Sequence, residues 1–148
     1  MSATGYAYPL PQPDAETKGW WDALRRHELV IQECAACQRL RHPPHSVCPA
    51  CGSEERTWRT MNGTATLYSY VVVHRPTLPS WRESVPYNIA VVTLDDAPEI
   101  RLHGNVVDVD DDELAIGLPL VAVFDDVTAD DTLLRWRPRH DDATTRGA

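Results

Sequence analysis

All four cysteines of this 148-residue chain fall in one short stretch, as Cys34-Ala35-Ala36-Cys37 and, ten residues on, Cys48-Pro49-Ala50-Cys51-Gly52. Two CxxC turns supply four soft thiolates. Each turn places two sulfurs about one ion, with backbone amides pointing at them. Gly52 suits the second turn, because the residue after the later sulfur often needs a positive φ. The pattern predicts a structural ribbon that holds tetrahedral zinc at Cys34, Cys37, Cys48 and Cys51; an iron centre of rubredoxin type takes the same donors. A thioredoxin-like redox pair would need only one CxxC at a helix start, and disulfides need an oxidising compartment. Four thiolates leave no open position for a reacting water, so the metal is expected to hold structure. His42 and His45 are then read as surface residues.

Chemistry elsewhere is sparse. The sequence has no GxSxG, HExxH, P-loop or GxGxxG, and no further cysteine to act as a nucleophile. One loop, Arg75-Pro76-Thr77-Leu78-Pro79-Ser80-Trp81-Arg82, sets Arg75 and Arg82 around an indole. Such a loop suits a phosphorylated, adenine-bearing molecule, held by bidentate phosphate contacts and stacking. It equally suits an exposed loop whose Trp81 caps a barrel.

The elements that must position these groups follow from periodicity. Trp20, Trp21 and Leu24 recur at helical spacing after Thr17, an N-cap candidate, which predicts a helix over 19–27. Two short hairpins then each end in a CxxC. From residue 57 the texture becomes strand-like. Residues 64–74 alternate, with Ala65, Leu67, Ser69, Val71 and Val73 expected on one face and tyrosines or threonines on the other. Further strands are expected over 87–94, 99–107, 118–124 and 132–137, with a bulge at Gly104. Five strands in so short a span, the first of them long, predict a small barrel of the OB type, a sandwich being the alternative. The expected division is a flexible tail over 1–18, helix and ribbon over 19–56, the OB-fold over 57–137 and a flexible tail over 138–148.

Composition narrows the function classes. At 43% apolar and 24% charged the chain is ordinary globular protein, and no apolar run reaches the roughly 18 residues of a membrane span. With no export signal and paired CxxC motifs, a reducing cytoplasm is expected. The net charge of −8 is uneven. Residues 1–60 balance seven basic against seven acidic side chains, whereas 105–134 carries nine acids and no Lys or Arg. That stretch repels polyanions, although a ribbon joined to an OB barrel otherwise suggests nucleic acid.

The run from Leu29 to Cys37, then Arg41-His42-Pro43-Pro44, then Cys48 to Gly52, followed by Gly63, Leu67-Tyr68-Ser69-Tyr70, Pro86-Tyr87 and Ile116-Gly117, resembles the zinc-ribbon and OB-fold proteins catalogued as domain of unknown function 35. The resemblance runs from Trp20 to Pro138 and implies a mainly β fold: an N-terminal helix, a rubredoxin-like zinc ribbon and a five-stranded OB barrel. It also implies partners. Members of that family bind thiolase-fold enzymes acting on acyl-CoA, including thiolases and aldolases that shorten steroid side chains, and some are fused to hot-dog-fold hydratase subunits. This chain departs from the family pattern at Ala65, where a second glycine is common, and at Val71, where threonine is frequent.

The function implied is a noncatalytic accessory subunit that stabilises such an enzyme, with acyl-CoA at the shared interface and CoA contacts expected at Arg75, Trp81 and Arg82. Trp20, Trp21, Tyr68 and Tyr70 are candidate interface residues, each of which also suits a core. The alternative is a module for single-stranded nucleic acid.

Overall fold

A computed structural model describes residues 5–140; the parts of the two expected tails that lie beyond these bounds fall outside the described residues. Helix α1 (Lys18–Arg25) opens the regular structure and turns Trp20, Ala23 and Leu24 inward. Thr17 precedes it but does not cap it with its side chain. Its hydroxyl donates instead to Asp14 Oδ1 at 2.7 Å, which closes the preceding turn. The helix stops in a Schellman arrangement: Glu28 N–H donates to Ala23 C=O and His27 N–H to Leu24 C=O, with His27 at φ 58°.

The ribbon is a three-stranded antiparallel sheet, β2 (Leu40–Arg41), β1 (Val30–Cys34) and β3 (Arg56–Thr60) in that order. Strand β1 is central because Val30 and Ile31 are buried, and its last residue is the first cysteine. Gly19 packs so tightly on β3 that a Cβ there would lie 2.5 Å from the Trp58 ring.

The second sheet runs β6 (Ala97–Gly104), β5 (Tyr87–Leu94), β4 (Thr64–Val73), β7 (Pro119–Asp126) and β8 (Thr132–Pro138), all antiparallel. It curls until its edges meet. Past Gly104, Val106 bridges Trp136 in parallel, Trp136 N–H donates to Asn105 C=O at 2.9 Å, and Val107 N–H donates to Trp136 C=O at 2.7 Å. Gly104 is required at this closure, because a Cβ would lie 3.0 Å from the Trp136 side chain and 3.2 Å from the Leu134 carbonyl oxygen. The core is built from Ala65, Leu67, Ala90, Val92, Leu94, Ile100, Leu102, Leu120 and the fully buried Trp136. This is the curled five-stranded OB architecture that the strand count predicts.

One expectation fails along β4. Its pairing with β5 shifts register between Leu67 and Ser69, a bulge that adds one residue and exchanges the two faces of the strand beyond it. Ala65 and Leu67 point inward as expected. Beyond the bulge Tyr70 and Val72 pack against the core, while Ser69 and Val71 are exposed.

Candidate functional site

The four cysteines converge. Their sulfurs all lie within 4.8 Å of one another, with Cys34 Sγ 3.6 Å from Cys51 Sγ and Cys37 Sγ 3.7 Å from Cys48 Sγ. A tetrahedral ion with metal–sulfur bonds near 2.3 Å requires sulfur separations of about 3.8 Å, so the donor set fits such an ion. The two turns are copies of one device. In the first, Gln38 N–H donates to Cys34 C=O and Cys34 N–H to Arg39 C=O; in the second, Gly52 N–H donates to Cys48 C=O and Cys48 N–H to Ser53 C=O. Gln38 at φ 60° and Gly52 at φ 77° take the same left-handed position, so glycine is used in one turn and replaced in the other.

Backbone amides prepare the sulfurs. The Cys37 and Ala36 N–H groups aimed at Cys34 bring its thiol down to about 6, and those of Ala50 and Cys51 lower Cys48 in the same way. Cys51 receives the Ser53 amide, but the hydrogen bond to Cys34 and the other thiols oppose ionisation and push it up to about 11. Four thiolates cannot share this space without a cation among them.

Within the ribbon, His42 is not a surface residue. Its ring lies on Trp20, centroids 4.7 Å apart, and burial, with His103 nearby, brings its pKa down to about 4. Trp20 itself is 7% exposed, and Tyr70 donates its hydroxyl to Leu114 C=O at 2.9 Å and packs on the core. Both serve the fold's interior. Trp21 is half-buried beside the core, on the wall of a pocket shared with His42 and Leu102. Of the four interface candidates Tyr68 is the open one, at 48% exposure, with the Arg101 guanidinium 3.9 Å above its ring. Val71 and Ile89, cross-strand partners on β4 and β5, are also exposed. Sequence alone does not mark this exposed pair, because the bulge that turns Val71 outward leaves no local signal.

Trp81 lies in a groove of about 440 Å³ lined by Tyr6, Tyr8, Tyr87, Asn105 and Arg135 among others. The rings form a ladder: Tyr6 on Tyr8 at 5.2 Å, Tyr8 on Trp81 at 4.3 Å, Trp81 on Tyr87 at 4.8 Å. Tyr8 also hydrogen-bonds Ser84. Residues 6 and 8, inside the stretch expected to be a flexible tail, thus take specific places in this groove. Arg75 and Arg82 are exposed and do not line it; the groove's guanidinium is Arg135, paired with Asp125 at 2.5 Å. The acids of 105–134 are partly engaged as well: Asp126 receives His27 at 3.0 Å, which fastens α1 to β7.

Among the described residues no helix is long and apolar enough to cross a membrane. Residues 21–55 match the ChsH2 rubredoxin-like zinc ribbon domain, and residues 58–125 match the ChsH2 C-terminal OB-fold domain. A probable enoyl-CoA hydratase alpha subunit of Thermomonospora curvata is 39% identical over 132 residues, covering 88% of this chain and 40% of that protein. The 3-oxo-4,17-pregnadiene-20-carboxyl-CoA hydratase alpha subunit of Mycobacterium tuberculosis is 34% identical over 128 residues, 86% of this chain and 39% of that protein. The chain therefore spans about two fifths of the length of these relatives. A chain of the solved Ltp2-ChsH2(DUF35) aldolase superposes with a TM-score of 0.79 at 38% identity, over 86% of this chain and 98% of that one.

Proposed function

The chain belongs to the ChsH2 family of zinc-ribbon and OB-fold proteins, the DUF35 group, and from that membership we propose that it is a noncatalytic accessory subunit that binds and stabilises a thiolase-fold enzyme acting on acyl-CoA. An aldolase that shortens steroid side chains is the favoured partner. The observation that carries this reading is the match to 98% of a chain from an aldolase assembly, which leaves almost none of that chain unaccounted for. The hydratase alpha subunits support association with a hot-dog-fold hydratase as well.

Within this proposal 19–56 forms the helix and ribbon, 57–137 the barrel, and the ion at the four cysteines is zinc. When bound, it would cross-link the two turns, and its four thiolates would close the coordination shell. The partner docks on the exposed strip of Tyr68, Val71 and Ile89, where apolar and aromatic surface next to Arg101 has the character of an interface centre. Arg75 and Arg82, which make no ion pair among the described residues, meet CoA phosphates at the edge of that interface while Trp81 offers a stacking face. The setting is cytoplasmic, where thiols stay reduced and available to zinc. Single-stranded nucleic acid is disfavoured by the acids of 105–134.

The test is a partition of activity. The purified chain is expected to show no acyl-CoA turnover, the partner alone to be impaired, and the mixture to recover full aldol cleavage. Turnover by the chain alone, or a partner indifferent to it, overturns the proposal.

A further inference from the structure

Between the ribbon and β6 lies a cleft of about 740 Å³, lined by Arg39, Arg41, His42, His45, Arg59 and Glu99 among others. Its wall contains a buried charge. Arg41 is 7% exposed, and no carboxylate pairs with it among the described residues. An arginine keeps its proton at any physiological pH, so the charge remains wherever the side chain is buried.

The guanidinium is held but not neutralised. Nε donates to Gln32 Oε1 at 2.5 Å, Nη2 donates to His45 C=O at 3.2 Å, and Nη1 has no partner among the described residues. Gln32 faces Arg41 across the β1–β2 register and is fully buried. Its Oε1 also accepts His45 N–H at 2.9 Å, which fixes the amide's orientation and leaves Nε2 as a second buried donor without a partner. An orphaned buried donor, and far more an orphaned buried charge, is destabilising unless something answers it.

The surroundings carry charge of both signs, since Cys37 of the metal-binding set also lines the cleft. Arg39 stands exposed on the same wall and makes no ion pair among the described residues, while Arg59 is paired with Glu33. Glu99, the one carboxylate lining the cleft, pairs with neither Arg39 nor Arg41. A neutral ligand leaves the Arg41 charge unanswered, and an anion answers it.

We propose that this cleft is an oxyanion site, in which Arg41, held from behind by Gln32 and with Arg39 and His45 at the mouth, receives a phosphoryl group. The site shares no lining residue with the Trp81 groove and does not rest on the function proposed above. A free phosphate and the phosphate of a larger molecule present the same chemistry to it.

The experiment uses the zinc-loaded full chain in phosphate-free buffer, titrated with inorganic phosphate and, in a second arm, with ADP, while backbone amide shifts of 38–46 are followed by NMR. Potassium chloride at matched ionic strength is the control. Saturable shifts there with phosphate are expected, weakened about fivefold or more in Arg41→Gln, as loss of a charge-assisted donor requires. Tighter binding of ADP than of phosphate assigns the site to a nucleotide-like ligand; equal binding assigns it to the phosphoryl group alone, and both support the site. Because Arg41 also ties β2 to the His45 loop, Arg39→Gln, at an exposed position, decides the question if Arg41→Gln fails to fold. Absence of saturation by tens of millimolar phosphate, shifts reproduced by chloride, or unchanged affinity in the variant that folds overturns the proposal and leaves the orphaned donors to water.

Discussion

His42 lies against Trp20 with ring centroids 4.7 Å apart, so a residue of the ribbon and a residue of α1 form one contact between the helix and the metal-binding unit. The contact requires a neutral imidazole. Its pKa, brought down to about 4 chiefly by burial, stands below the ordinary value of 6.5.

The unfolded chain binds a proton at His42 more readily than the folded one, so this contribution is full above pH 6.5 and is lost as pH falls from there toward 4. At about 1.4 kcal/mol per unit, its ceiling is on the order of 3 kcal/mol. Acid also displaces metal from thiolates, so His42→Gln isolates the effect: urea melts of that variant are expected to show a flatter acid limb over this window than wild type. Identical limbs refute the assignment.

Chelation, or Cys48→Ser at the buried end of the second turn, removes a structural ion of the kind that supplies on the order of 10 kcal/mol of apparent folding energy in small fingers. Amide resonances over 29–60 are expected to collapse toward random-coil positions. Retention of the dispersed spectrum without metal contradicts a structural role.

Gly19→Ala sets two effects against each other. Alanine gains up to about 1 kcal/mol over glycine inside a helix. The new Cβ, however, would lie 2.5 Å from the Trp58 ring, and overpacking of this kind costs about 1–3 kcal/mol. Net destabilisation is expected, read as a lower midpoint in thermal unfolding; a higher midpoint shows that α1 and β3 have room to separate.

Val71→Asp or Ile89→Asp puts a charge at the proposed docking strip on side chains already open to water. Each is expected to leave the melting curve within about 0.5 kcal/mol of wild type while weakening the partner complex by at least about 2 kcal/mol. Val47→Asp, on an equally open apolar residue of the ribbon, is the control and is expected to bind as wild type. Equal losses from both positions remove the assignment of the face.

What the sequence revealed divides by range. The metal centre was legible because its four ligands sit in two local turns whose spacing alone brings the sulfurs together. The barrel and its OB type were legible from the number and lengths of the strands, and the family resemblance agreed. Tyr70 and Val71 were misplaced because alternation carries no mark of the bulge after Leu67, and one inserted residue exchanges both faces. The burial of Trp20 and His42, and the ladder of Tyr8, Trp81 and Tyr87, depend on pairings between distant segments. The burial of Arg41 is not legible either, because nothing local shows that Gln32 and the His45 carbonyl hold its guanidinium inside.

The central claim, that this chain holds an enzyme and leaves the chemistry to it, is tested most directly by co-expressing the tagged chain with a thiolase-fold aldolase from its source and measuring the purified mass by light scattering. The account expects a stable complex with a thiolase-fold aldolase in fixed stoichiometry that survives gel filtration. A chain that elutes alone, with the aldolase fully active in a separate peak, contradicts it.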